Sequence, residues 1–424
     1  MSNYLLKTES NGLKILFVPS KDVLSFQVTI LVGTGSDWEK PKENGLSHFL
    51  EHMCFKGTKK RPKNILITQE LDNIGALYNA FTSRELTGYF IRCSKENYLK
   101  ALDIVADIYL NSLFNEEEIE KEKKVIIEEI NMYQDDPQSY IWDLWDYLLY
   151  QNQPAGRPVA GTPETVLKFK RRDLINYRNK YYHRNNTLII ISGNFNQKIN
   201  QEIFDFFQNL EPKKKINRPK TKEPEKQPVI LLKHKDTDQA HLIIGFKTFD
   251  LFDKRNYPLD VLNTILSGGM SAFLFQVLRE KLSAAYYCSS DNISYTDRGY
   301  LAITMGLDLK RIDEILKTFF KELFSLQDKI DEEMVKKAKN YLNGVVALKT
   351  ENIHNLALKY GEMFMLRQEI IPPKKYLEKI SQVDLKEVKN LFEKLITPER
   401  TRMAIIGPFK KEEKFVKILK ESSR

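Results

Sequence analysis

A chain of 424 residues, 42% of them apolar, is too long for one ordinary core and carries enough apolar material for two or more packed ones. Its 66 basic and 57 acidic residues leave a net charge of +9, but the two signs are interleaved and no zinc-finger or basic-arm pattern occurs, so the excess reads as solvated surface, with no nucleic-acid partner. No apolar run approaches the roughly 18 residues of a membrane span, the start MSNYLLKTESNGLK resembles neither a signal nor a transit peptide, and Cys54, Cys93 and Cys288 suit reduced thiols; a cytoplasmic protein with no membrane contact is expected.

Near the start, Phe26, Val28, Ile30 and Val32 alternate as in a strand. The stretch that follows, Gly45-Leu46-Ser47-His48-Phe49-Leu50-Glu51-His52, carries two histidines four residues apart with a glutamate beside the second. On a helix, with His48 at zero, His52 falls near ~40° and Glu51 near ~−60°, while Leu46, Leu50 and Met53 fall between about 140° and 200°. One face can therefore sit in a core while His48, Glu51 and His52 face a cavity. Two neutral imidazoles at that spacing suit a zinc ion, and the glutamate suits a base acting on zinc-bound water. Cys54 points away from that face and reads as packing.

A catalytic zinc needs a third protein ligand. Residues 116–130 read as a helix, rich in strong helix formers, free of Gly and Pro, with acids at the front. Ile119, Ile126, Ile130 and Tyr133 form its apolar face. Glu122 and Glu129 border that face one heptad apart, and Glu128 points away. A carboxylate near a core must be paired or bind metal, so Glu129 is the ligand candidate and Glu122 its support.

Residues 211–228, EPKKKINRPKTKEPEKQP, have the composition of a linker. Beyond them Leu242, Ile244 and Phe246 alternate as a strand and lead into a helix around Leu259 to Leu266, repeating the first half, with Asn263 and Thr264 where histidines would lie. The expected fold is α+β, with two similar domains, each a mainly antiparallel sheet with helices on one face. Residues 1–210 form the zinc domain and 229–424 its homologue. His183, His234, His241 and His354 lack ligand-like spacing and read as structural.

The stretches GLSHFLEHMCFKGT from Gly45, NAFTSRELTGYF from Asn79, KEKKVIIEEINMYQDDP from Lys121, GRPVAGTPETV from Gly156 and SGGMSAFLFQVLREKLSAAYY from Ser267 resemble, in order and rough spacing, the pitrilysin/insulinase family of zinc peptidases. The likeness is strongest to short members similar to the mitochondrial processing peptidase. The H-x-x-E-H order is that of inverzincins, the H-E-x-x-H metalloprotease motif reversed.

The resemblance implies one Zn2+ per chain on His48, His52 and Glu129, with Glu51 as catalytic base. It also implies a substrate-pairing edge strand at Asn79, Ala80, Phe81 and Thr82, and an Arg279/Tyr286 pair that holds substrate and stabilises the tetrahedral intermediate. Both halves of such a site in one chain imply a homodimer with shared sites, acting as an endopeptidase on unfolded peptides in a closed, clamshell chamber. The alternative is a non-catalytic partner or scaffold subunit. The family stretch GGGMSSRLF reads SGGMSAFL from Ser267, lacking one Gly and the Ser-Arg pair.

Overall fold

The computed structural model describes residues 4–422 apart from residues 197 and 226. Six strands make the first sheet: β1 (Leu5–Thr8), β2 (Lys14–Pro19), β3 (Ser25–Val32), β4 (Leu77–Thr82), β5 (Thr87–Ser94) and β6 (Thr187–Gly193). Their order is β1-β2-β6-β3-β5-β4, antiparallel except for β2 beside β6. The second sheet holds β7 (Ile230–His234), β8 (Gln239–Lys247), β9 (Ala285–Ser294), β10 (Gly299–Asp308) and β11 (Arg402–Gly407) in the order β7-β11-β8-β10-β9, with only β7 and β11 parallel. Two mostly antiparallel sheets with helices are the architecture expected from the sequence.

Alternation along a strand sends successive side chains to opposite faces. In the first sheet Ile15, Phe17, Phe26, Val28, Ile30, Val32, Ile189 and Ile191 enter one core. The helices Leu46–Met53, Tyr98–Leu110, Arg171–Tyr181 and Ile199–Phe207 also contribute to it. Ile119, Ile126 and Ile130 of the Glu116–Asp135 helix join the same core. Tyr133, placed on that face by the wheel, is instead 44% exposed, because the core ends before the helix does.

The second sheet repeats the pattern: Leu242, Ile244 and Phe246 enter its core together with Leu259, Leu262 and Leu266 of the Asn256–Ser267 helix.

Each sheet also has a covered opposite face, which the expectation of one helical face does not include. Leu16, Val18, Leu31, Leu188 and Ile190 pack under Leu356, Ala357, Tyr360, Phe364 and Met365 of the Ile353–Arg367 helix. In the second sheet Ile243, Ala302, Ala404 and Ile406 pack under Ile141, Trp145, Leu148 and Leu149 of the Pro137–Tyr150 helix. The compact units are therefore discontinuous in sequence. One comprises residues 1–132, 157–219 and 349–371; the other comprises 133–156, 220–348 and 372–424.

The units part at 219/220 within the 211–228 segment, which is docked on either side of that point. Arg218 pairs with Glu85 at 3.1 Å, and the Trp38 indole donates to the Ile216 carbonyl at 3.1 Å in the first unit. Thr221 and Lys222 donate backbone N–H groups to Asp297 and Gln153 in the second. No helix among the described residues is long and apolar enough to cross a membrane.

Candidate active site

The Leu46–Met53 helix buries Leu46, Phe49, Leu50 and Met53 and leaves His48 and His52 partly exposed, as the wheel requires. Its start is fixed by a residue the motif does not contain. Glu39, buried, accepts the Ser47 N–H at 2.7 Å and the Gly45 N–H at 2.8 Å, satisfying orphan donors of the first turn. Gly45 sits at φ 93°, a left-handed conformation that glycine tolerates. Burial pushes the Glu39 carboxyl up to about 7 against the opposing pull of the two N–H groups.

Three residues of this helix and the Glu116–Asp135 helix converge. His48 Nε2 and His52 Nε2 lie 3.2 Å apart. Glu129 Oε1 is 3.6 Å from His48 Nε2, and Glu129 Oε2 is 3.5 Å from His52 Nε2. The donor atoms of the three residues all fall within 4.8 Å of one another. Ligands bound tetrahedrally at about 2.0–2.2 Å stand about 3.4 Å from each other, close to the separation of the two rings and to that of each ring from its nearer Glu129 oxygen. The donor set, two imidazoles and one carboxylate, fits zinc.

The electrostatics agree with a cation at this point. Burial, and then the neighbouring His52, push His48 down to about 3, so its ring is neutral and free to ligate. For His52, burial pulls downward, but the hydrogen bond to Glu122 and the charges of Glu51, Glu129 and Glu122 outweigh it and raise the ring. Surroundings that favour a proton on His52 favour a metal ion there too. Burial raises Glu129 and Glu51, with His52 opposing in both.

Glu122, the predicted support, accepts from His52 Nδ1 at 2.8 Å, and its other oxygen pairs with Lys56 at 2.6 Å. That contact orients the ring with Nε2 toward Glu129. Among the described residues the buried Nδ1 of His48 has no hydrogen-bond partner, so no orienter of that kind holds its ring. Glu51 lies on the same helix, with Thr82 Oγ1 donating to its Oε2 at 2.5 Å.

Thr82 ends β4, the edge of the sheet, so Asn79, Ala80, Phe81 and Thr82 pair only with β5 and present their other side unpaired within the sheet. Glu39, Lys56 and the Thr82 contact were not found from the sequence. Lys56 lies past the end of the Leu46–Met53 helix, and its partner Glu122 is distant in sequence, so no local spacing marks the pair.

In the second unit Arg279 belongs to a π-helix, Gln276–Lys281, and its guanidinium lies 5.0 Å from the Phe275 ring centroid. The chain then passes through Ser283 at φ 47° and enters β9. There the register slips: Tyr287 opposes Gly306 while Ala285 opposes Leu307, so Tyr286 is the extra residue of a β-bulge. Tyr286 is 63% exposed. π-Helices and bulges are both irregularities that re-aim side chains and recur at functional sites.

Cys54 is buried with its Sγ 3.6 Å from the Tyr89 hydroxyl, as expected of a packing residue. His354 is buried between Ser25 and Ser192, with each ring nitrogen 2.8 Å from a serine hydroxyl.

Comparison with known proteins gives the class. Residues 19–163 match the family described as Insulinase (Peptidase family M16), and residues 168–342 match the Peptidase M16 inactive domain. The chain belongs to the M16 peptidase family. It is 34% identical to the uncharacterized zinc protease YmxG of Bacillus subtilis (strain 168) over 95% of this chain and 97% of that one. It is 28% identical to the mitochondrial-processing peptidase subunit beta of Rattus norvegicus over 95% of this chain and 84% of that one. The solved structure of a protease from Helicobacter pylori superposes with a TM-score of 0.86 at 22% identity, covering 96% of this chain and all of that one, a likeness of fold.

Proposed function

We propose that this chain is a zinc-dependent endopeptidase acting on unfolded peptides, with one Zn2+ held by His48, His52 and Glu129. The observation that carries the reading is the convergence of those three donors within 4.8 Å of one another, beside a desolvated carboxylate, Glu51, on the helix that bears both histidines. The zinc would supply Lewis acidity, acidifying a water and polarising the scissile carbonyl. Glu51 takes the proton from the attacking water and delivers it to the leaving amine. Thr82 holds one Glu51 oxygen, leaving the other for that transfer. Glu122 keeps His52 in the ligating tautomer.

An extended peptide adds to the free side of β4 through backbone hydrogen bonds, which demand little of its sequence. Arg279 holds the substrate and the Tyr286 hydroxyl donates to the oxyanion. In this reading two copies pair, and Arg279 and Tyr286 of one serve the metal centre of the other. A cytoplasmic setting accords with three free cysteines.

Chelator-sensitive cleavage of quenched fluorogenic peptides by the chain alone tests the activity. Glu51→Gln is expected to keep its zinc and lose turnover by about 10³-fold or more; wild-type turnover in that variant rules the mechanism out. Zinc-loaded protein that cleaves no peptide in a broad library would point to a scaffold subunit instead. Mixing Glu51→Gln with Tyr286→Phe chains tests shared sites: mixed dimers regain one intact composite site, and no recovery despite subunit exchange counts against sharing.

A further inference from the structure

The bulge that expels Tyr286 is flanked by a row of residues on three adjacent strands. Tyr287 of β9 opposes Gly306 of β10, which in turn opposes His241 of β8. Gly306 has no side chain, and the Tyr287 ring lies across it: a Cβ at Gly306 would meet Tyr287 Cε1 at 2.3 Å and Cδ1 at 2.8 Å. Reaching over the glycine, the Tyr287 hydroxyl hydrogen-bonds His241 Nδ1 at 3.0 Å, and the two rings sit 6.0 Å apart. This is an aromatic side chain covering a strand glycine, a device that pins register.

The row abuts the slip itself, since the next residue of β10, Leu307, faces Ala285. A strand whose side-chain period is two would otherwise turn Tyr286 and Tyr287 to opposite faces with no extra residue. Burial lowers His241 against the opposing charge of Asp136, so the ring is neutral, and burial also keeps the Tyr287 phenol protonated. Burial thus favours the neutral forms of both partners of the bond.

We propose that Tyr287, Gly306 and His241 form a latch that fixes the β-bulge and thereby aims the Tyr286 hydroxyl. The inference rests on the reading of Tyr286 as an oxyanion donor and makes the three latch members positioning residues. Filling Gly306 displaces the Tyr287 ring and frees the register. Tyr287→Phe removes only the bond to His241 and loosens the latch less.

The test combines amide hydrogen exchange of residues 285–288 with steady-state kinetics in two backgrounds. Gly306→Ala is expected to speed exchange there by about tenfold or more. It should also lower kcat by about a hundredfold, the order of a one-ångström misplacement, with little change in KM. Tyr287→Phe, the safer variant for folding, shifts both in the same direction by less. In a Tyr286→Phe background the kcat loss from either substitution disappears, because there is no hydroxyl left to aim. A loss that persists undiminished in that background, or exchange unchanged in both latch variants, overturns the latch. Wild-type turnover in Tyr286→Phe alone is a different result, which overturns the role given to Tyr286.

Discussion

The two sheets put a helix and an edge strand in the same relation and fill that place with opposite chemistry. In the first, the Leu46–Met53 helix meets β4, and Glu51 takes a hydrogen bond from Thr82 amid His48, His52 and Glu129. In the second, the Asn256–Ser267 helix meets β9, and Ser290 Oγ bonds Asn263 Oδ1 at 2.6 Å and Ser267 Oγ at 2.8 Å. The second cluster consists of uncharged side chains that hydrogen-bond one another and so stabilise the packing. The first gathers ionisable groups that burial shifts in both directions, raising Glu129 and lowering His48. Fold alone does not distinguish the two places; the residue types do.

The comparison breaks most sharply at the metal. His52→Ala or Glu129→Gln is expected to reduce zinc from about one per chain to a trace by elemental analysis, whereas Asn263→Ala leaves the zinc content untouched. Retained stoichiometric zinc in His52→Ala would contradict the difference drawn between the clusters. One step out, Glu122→Gln leaves His52 Nδ1 with a weaker acceptor and Lys56 without its carboxylate. Zinc affinity should fall by roughly 10- to 100-fold in competition with a chelator. Lys56→Met, acting only through Glu122, should fall by less, and an equal or larger loss would mean that Lys56 acts directly.

The covering helices sharpen the contrast under acid. His354, near the start of the Ile353–Arg367 helix, is held down to about 4 by burial, and the charge of Arg92 adds to the shift. With its folded pKa below the unfolded 6.5, the unfolded chain binds the extra proton. The contribution is complete above about pH 6.5 and is lost as pH falls from there through about 4. The Pro137–Tyr150 helix packs on its sheet through Trp145 and aliphatic side chains. Between pH 7 and pH 5, the protection of amides against exchange, taken relative to the intrinsic rate at each pH, should therefore fall in 353–367 more than in 137–150. An equal loss of protection would remove His354 as the cause, and His354→Gln should flatten the difference.

The smallest effect belongs to the neutral cluster. Asn263→Ala is expected to cost about 1 kcal/mol in denaturant unfolding, the worth of an ordinary hydrogen bond. A cost several times larger would mean that the cluster does more than pack.

Much of this was legible from sequence because the signals are local. Strand alternation in Phe26–Val32 and Leu242–Phe246 sorted the cores correctly, and the helical wheel set His48, Glu51 and His52 opposite Leu46, Leu50 and Met53. Glu129 follows from the wheel and from the family resemblance alike. What stayed hidden is non-local. An apolar stripe such as that of Ile353–Arg367 demands an apolar surface without naming which sheet supplies it. The bond from Glu39 to Ser47 is made by a loop folding back on a helix start, with no Ser/Thr/Asp cap in register. The bulge at Tyr286 is a one-residue slip set by a glycine on the neighbouring strand, and the run AAYYCSSD gives no alternation from which to read it.

X-ray absorption at the zinc edge of the metal-loaded chain tests the ligand assignment most directly. A first shell of nitrogen and oxygen at about 2.0–2.2 Å, with an imidazole signature of two histidines, is the predicted spectrum. A sulfur shell near ~2.3 Å, or loss of no imidazole signal in His52→Ala, would contradict it.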